Sequence, residues 1–306
     1  MFKIFSYNAH MSTAKTSTTA FTIADSLAKL SQVPRWKNHC SDEMVALNIA
    51  FTKHACDTSI KHLISALPLP ISIFLMDTLY IAGMTHHYLF RKIFIEKHLH
   101  TAIKSGAQQV IVLGGGMDTL ALRMAAEYPQ TRFIEIDLPH TQARKMQVLK
   151  DIGHGIPENC IFTPADLSTE TLENVLHNNK GFRADAPSLV IIEGVLMYLT
   201  ESEVKTLFST LHQCIKAPLT ILFGAMTTPD QAGHWRLRIM CALLRRAQEE
   251  TKWYCTSSAM PEFMKKLGYE ITESITYKDL QRPYRSAEEI SHVPEEDENY
   301  YIVKRT

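Results

Sequence analysis

The chain has 306 residues, 45% of them hydrophobic, and its 32 basic residues balance its 32 acidic ones. That length and composition allow a large α/β core with an added helical part, and zero formal charge without a dense Lys/Arg stripe excludes nucleic acid as a main partner. Six cysteines, at 40, 56, 160, 214, 241 and 255, form no C-x-x-C pair and the 14 histidines form no compact ligand pattern, so we expect reduced thiols, a cytoplasmic location and no metal.

The first 19 residues are rich in Ser, Thr and Lys and are expected to begin without order. They lack a sustained apolar run with a cleavage site, so no secretion signal is expected. Helices are predicted at Thr22 to Leu30, Glu43 to Ala55, Ile73 to Ile81 and from about His86 to Lys104. In the last, Tyr88, Ile95, Leu99 and Ala102 make one apolar stripe with Arg91 at its border. The stretch Leu63 to Met84 is largely apolar but is interrupted by Pro68, Pro70, Asp77 and Gly83. A span would need about 20 predominantly apolar residues, so a buried layer or pocket wall is expected and no membrane span.

Val110 to Leu113 is a short β-branched run, read as a strand buried on both faces. Gly114, Gly115 and Gly116 end it in a turn whose backbone a ligand can approach closely. An amphipathic helix from Met117 to Tyr128 follows, with Asp118 near its start, and then a strand from Arg132 to Ile136 with Asp137 at its carboxyl end. Strand, glycine turn, helix, strand and acid make the βαβ unit of a nucleotide-binding sheet, in which ligands lie outside the carboxyl ends of the strands. A dinucleotide fingerprint would carry glycine where Thr119 stands, whereas Asp137, 21 residues beyond Gly116, suits a ribose hydroxyl in either cofactor class. Further strands are predicted at Cys160 to Pro164, Leu189 to Glu193, Leu219 to Ala225, Tyr269 to Thr276 and Tyr300 to Lys304. Helices are predicted from the Pro139 turn to Asp151, at Glu170 to His177, from about Glu201 to Lys216, and at Pro261 to Leu267 with Gly268 as C-cap. Residues 226–260 interrupt the alternation with Trp235, Trp253, Tyr254 and a basic helix.

Four segments in one order carry a family resemblance: L-G-G-G-M-D-T-L-A-L-R, F-I-E-I-D-L-P followed by Arg144-Lys145, P-A-D-L at Pro164 to Leu167, and E-G-V-L-M-Y-L at Glu193 to Leu199. Together they resemble the leucine carboxyl methyltransferase family over about Arg91 to Thr200. The resemblance implies a Rossmann-like class I methyltransferase, an α/β fold with a seven-stranded, mostly parallel sheet, helices on both faces and an antiparallel last strand. It also implies S-adenosyl-L-methionine as cofactor and S-adenosyl-L-homocysteine as product. We expect residues 1–106 to form a helical cap on the substrate side and 107–306 the cofactor-binding domain, with an insertion at about 226–260.

Such a cofactor makes separate chemical demands. A ribose diol needs an acceptor, which Asp137 supplies, with Leu138 beside it in the resembling motif. Asp166 and Leu167 resemble the adenine-contacting pair, although an acid there could equally cap a helix. Arg91, 23 residues before Gly114, matches the family's arginine for the methionyl carboxylate, and a second cation nearer the amino terminus could be Arg35 or Lys37. Glu193 ends a central strand where an ion needs a partner, either the cofactor's cationic part or a structural ion pair. With Gly114, Gly115, Gly116 and Asp118, these are the expected cofactor-binding residues. Tyr198 is the candidate to line the transfer site, and His234 and Tyr254 are base candidates by position alone. The expected reaction is O-methylation of a carboxylate or hydroxyl on a small molecule, with a protein C-terminal carboxylate as the alternative acceptor. A nicotinamide-dependent oxidoreductase is the competing class, disfavoured by Thr119 and Asp166. No feature bears on oligomeric state.

Overall fold

A computed structural model describes residues 18–55, 67, 71, 84–227, 251–291, 293 and 297–306. The predicted helix at Ile73 to Ile81, nearly all of the apolar stretch from Leu63 to Met84, and residues 228–250 with His234 lie outside the described residues.

Seven strands form one sheet: β1 Gln109–Leu113, β2 Arg132–Asp137, β3 Cys160–Pro164, β4 Ser188–Ile192, β5 Leu219–Met226, β6 Tyr269–Ile275 and β7 Glu298–Arg305. Their order is β3-β2-β1-β4-β5-β7-β6. β1 pairs in parallel with β2 and β4, β2 with β3, and β4 with β5, while β7 runs antiparallel between β5 and β6. This is the expected α/β sheet with its expected antiparallel strand. The apolar runs explain it, since β1 and β4 are buried at every position, as strands covered on both faces must be.

The described helices are α1 Thr18–Leu30, α2 Pro34–Lys37, α3 Asp42–Ala55, α4 Met84–Lys104, α5 Leu120–Glu127, α6 Pro139–Asp151, α7 Leu172–Asn178, α8 Glu201–Cys214, α9 Met260–Lys266 and α10 Ala287–Ile290. One face of the sheet packs Val110, Val112, Leu189 and Leu222 against Leu27 and Leu30 of α1 and Phe90, Phe94 and Leu99 of α4. The other packs Ile111, Ile134, Val190 and Ile221 against Leu176 of α7, Leu207 and Leu211 of α8 and Met264 of α9. A capping box starts α8: Thr200 accepts from the Glu203 N–H while Glu203 accepts from the Thr200 N–H.

Two expectations are corrected. The helix after the glycine turn starts at Leu120, not Met117, because Asp118 Oδ1 accepts from the N–H groups of Thr119 (2.6 Å) and Leu120 (3.2 Å) and holds the preceding residues in a turn. The long helix shows more than one stripe: Leu89, Phe90, Arg91, Lys92 and Phe94 are buried together with Tyr88, Ile95 and Leu99. Its first half is enclosed nearly all round, between α1 and the sheet.

Candidate functional site at the carboxyl ends of the strands

Register fixes the site. Leu113 at the end of β1 stands opposite Ile136 of β2 and Ile192 of β4, and Asp137 stands opposite Pro164 of β3. Gly114–Gly116, Asp137, Asp166 and Glu193 therefore leave four adjacent strand ends, in the sheet order β3, β2, β1, β4.

The turn is bound to its neighbours. The Gly114 N–H donates to the Ile136 carbonyl at 2.8 Å, and the Gly116 N–H donates to Asp137 Oδ2 at 2.5 Å. Gly114 has φ +71°, and a Cβ there would overlap Val195; a Cβ on Gly115 would overlap the Glu135 side chain. Beneath the turn Glu135 is 1% exposed and bonded at 2.6 Å to Lys145, whose side chain is fully buried. Burial outweighs Lys145 and pushes the Glu135 carboxyl up to about 7.

Asp137 spends one bond on Gly116 and one, 2.6 Å, on the Leu138 N–H. Burial raises its pKa and these two N–H groups oppose that. A carboxylate has about four acceptor positions, so two remain for hydroxyl donors. Asp166 does not cap a helix: Thr171 caps α7, and Asp166 Oδ1 accepts from the N–H (2.9 Å) and Oγ (2.6 Å) of Ser168 in a tight turn. Both bonds fall on Oδ1, so among the described residues Oδ2 is left for an outside donor. Leu167, beside it, packs half-buried against the core.

Glu193 lies one residue beyond β4 and already has partners. Its Oε1 meets Arg91 at 2.7 Å and its Oε2 meets Lys92 at 2.7 Å. Lys92 also bonds Asp118 Oδ2 at 2.9 Å, and Arg91 bonds Glu298 Oε2 at 3.2 Å, the same oxygen that His87 Nε2 meets at 3.0 Å. Arg91 is thus a buried network member, 4% exposed, and among the described residues its Nε has no hydrogen-bond partner. Burial alone would lower the Arg91 and Lys92 pKa values, but the surrounding acids raise both, and the cations hold Asp118 and Glu298 at about 2 against the same penalty. Burial lowers the His87 pKa, and the contact with Glu298 opposes that. Three carboxylates face two cations, and the network keeps one net negative charge.

Tyr198 is half-buried in the 3-10 turn Leu196–Tyr198 after β4. The next residue inward, Met197, accepts through its carbonyl from the Lys252 N–H at 2.7 Å, which ties this turn to the segment after residue 250. Tyr254 bonds Thr251. Arg35 is not brought to the network: it pairs with Glu289 at 2.5 Å and donates to the Tyr284 carbonyl. Lys37 is exposed. Lys92, Glu298 and the Glu135–Lys145 pair were not singled out from the sequence. An acid inside the apolar run F-I-E-I-D is a readable signal for Glu135, whereas the contact between His87 and Glu298 joins residues 211 positions apart.

The model of the leucine carboxyl methyltransferase family matches residues 76–212, the span that holds the glycine turn, the three acids and the Arg91–Lys92 pair. Over that segment the chain is similar to the leucine carboxyl methyltransferase family. YktD of Bacillus subtilis (strain 168), provisionally named an S-adenosyl-L-methionine-dependent methyltransferase, is 32% identical over 200 residues, 63% of this chain and 64% of YktD. A protein from Parafrankia sp. (strain EAN1pec) with the same provisional description is 32% identical over 133 residues, 42% of this chain and 41% of its own. The chain thus spans less than two thirds of these relatives. Two crystal structures share the fold with this chain. One, from Thermobifida fusca YX, is provisionally called a methyltransferase (TM-score 0.59, 14% identity, 85% of this chain and 93% of that one). The other is a duf574 family protein from Streptomyces avermitilis MA-4680 (TM-score 0.60, 11% identity, 85% and 97%).

Proposed function

We propose that this protein is an S-adenosyl-L-methionine-dependent O-methyltransferase that acts on a carboxylate or hydroxyl of a small molecule. The observation that carries the reading is the charge at the strand ends: a buried network with one net negative charge stands beside a side-chain-free turn whose N–H is held by Asp137. The proposed cofactor carries a sulfonium and an ammonium against one carboxylate, so its net positive charge complements the network. Asp137 keeps two acceptor positions for the ribose diol, Asp166 Oδ2 is free for the adenine amino group, and Arg91 still has donors for the methionyl carboxylate.

Bound there, the cofactor supplies an electrophilic methyl on sulfur. The chain's part is to hold it, align the acceptor and exclude water. A carboxylate acceptor is already a nucleophile and needs little more than alignment. A hydroxyl acceptor would need a group to take its proton. Ala20 of α1 lies against Gly116, so the amino-terminal helices approach the turn from outside. A site covered on that side suits a small acceptor. A protein carboxyl terminus is the second reading, favoured by the description of the matching family.

Thermal-shift titration tests the cofactor class. S-adenosylhomocysteine should raise Tm and NAD should not, and the reverse result ends the proposal. Methyl-labelled cofactor with a cell extract then sorts acceptors: label released by mild base marks a carboxyl ester, and base-stable label a hydroxyl product.

A further inference from the structure

Away from the strand-end site, α7 and the carboxyl-terminal end of α8 bring together three groups of metal-binding chemistry. Glu173 and His177 stand at i and i+4 on α7, and Cys214 is the last residue of α8. One ligand atom from each, a carboxylate oxygen, an imidazole nitrogen and Sγ, lies within 4.8 Å of the other two. α7 leads into β4 and α8 into β5, so this cluster sits at the amino-terminal end of the sheet, opposite the glycine turn.

We infer that Glu173, His177 and Cys214 form a binding site for zinc or a similar borderline divalent cation, which bridges α7 and α8 and leaves one coordination position open to solvent.

The donor set fits the ion. Zinc takes Cys, His and carboxylate ligands in a tetrahedron with bonds of roughly 2.0–2.3 Å, which places ligand atoms roughly 3.5 Å apart. Closing from 4.8 Å takes only side-chain rotation, because Glu173 and His177 are exposed and Cys214 alone is anchored, at 4% exposed. None of the three donor groups is engaged by a hydrogen bond or an ion pair among the described residues; the His177 ring only meets Phe182 edge-on at 6.2 Å. Without the ion, Glu173 adds to the burial that already raises the Cys214 thiol, and Lys216 opposes both. A cation between Glu173 and the sulfur turns that repulsion into shared attraction, and the thiol proton leaves to solvent as the thiolate binds. A mixed sulfur, nitrogen and oxygen set disfavours magnesium and calcium, which take oxygen ligands.

The test uses the full chain stripped with chelator. Zinc should bind in one equivalent and raise Tm by about 2 °C or more at saturation, while magnesium should not. Cobalt(II), as a probe, should give a thiolate-to-metal charge-transfer absorption. Cys214→Ser should abolish that absorption and His177→Ala should weaken zinc binding at least tenfold. His177 is exposed, so the second variant tests the site even if Cys214→Ser folds poorly. Cobalt absorption that survives in Cys214→Ser, or zinc stoichiometry and affinity unchanged in His177→Ala, would overturn the assignment. S-adenosylhomocysteine binding should be the same in every variant, so this result is independent of the proposed reaction.

Discussion

Two buried ionic systems lie within a few residues of the glycine turn, and they are built on different plans. Under Gly115, Glu135 and Lys145 form a closed pair, 1% and 0% exposed, one carboxyl against one ammonium. At the ends of β1, β4 and β7, Asp118, Lys92, Glu193, Arg91 and Glu298 form an open chain of alternating sign that ends in acid on both sides. A closed pair is complete in itself and can only support the backbone above it. An open chain with a spare charge is completed by something outside it.

The largest effect should come from breaking the closed pair. Lys145→Met strands Glu135 in the core and is expected to cost about 3–5 kcal/mol in urea unfolding at about pH 9, where the parent's carboxyl is ionised. A loss below about 1 kcal/mol would mean that Glu135 already finds another partner, and the contrast would fail.

Asp297 sharpens the comparison from the opposite side. It is 2% exposed, among the described residues neither carboxylate oxygen has a hydrogen-bond partner, and burial, with Glu298 adding, pushes it up to about 7. A carboxyl raised in the folded state costs stability as pH climbs from its unfolded value of about 4 to its folded one. Asp297→Asn should therefore gain up to about 4 kcal/mol relative to the parent between pH 4 and pH 8. Parallel stability-versus-pH curves for the two proteins would show that Asp297 is ionised and partnered in solution.

Glu298→Gln removes the terminal acid of the open chain. Glu298 is held at about 2 by Arg91 and His87 against burial, so its contribution is present above pH 4.5 and fades as pH falls toward 2. The variant should lose about 3 kcal/mol at pH 7, with the deficit closing in acid. Under the proposed function it should also weaken S-adenosylmethionine more than S-adenosylhomocysteine, because only the former carries the sulfonium. Equal weakening, measured by calorimetry, would separate the network from the sulfonium. The smallest change is expected far from both systems: Thr200→Ala opens the α8 capping box and should cost about 1 kcal/mol, with cofactor affinity unaltered.

These systems also mark where sequence reasoning stops. Strands were legible because apolar β-branched runs have one economical burial. β3 is found at its predicted bounds, and the other strands differ by one or two residues. Asp137, Asp166 and Glu193 were legible as strand-end acids, since their positions follow from the strands. Their partners were not. Lys92 sits on a helix where a lysine ordinarily reaches solvent, and only the three-dimensional enclosure of α4 turns it inward between Asp118 and Glu193. Glu298 enters through β7, more than two hundred residues from Arg91 and His87, a distance that no periodicity can bridge.

The place of β7 has a kinetic consequence. Among the described residues β6 hydrogen-bonds to β7 and to no other strand, although the chain passes through β6 first. Until residues 298–305 thread in beside β5, β6 has no ladder to join, and Arg91 waits for Glu298. Residues 298–305 thus complete both the sheet beside β5 and the charge balance of the network, through contacts of high sequence separation that should slow folding.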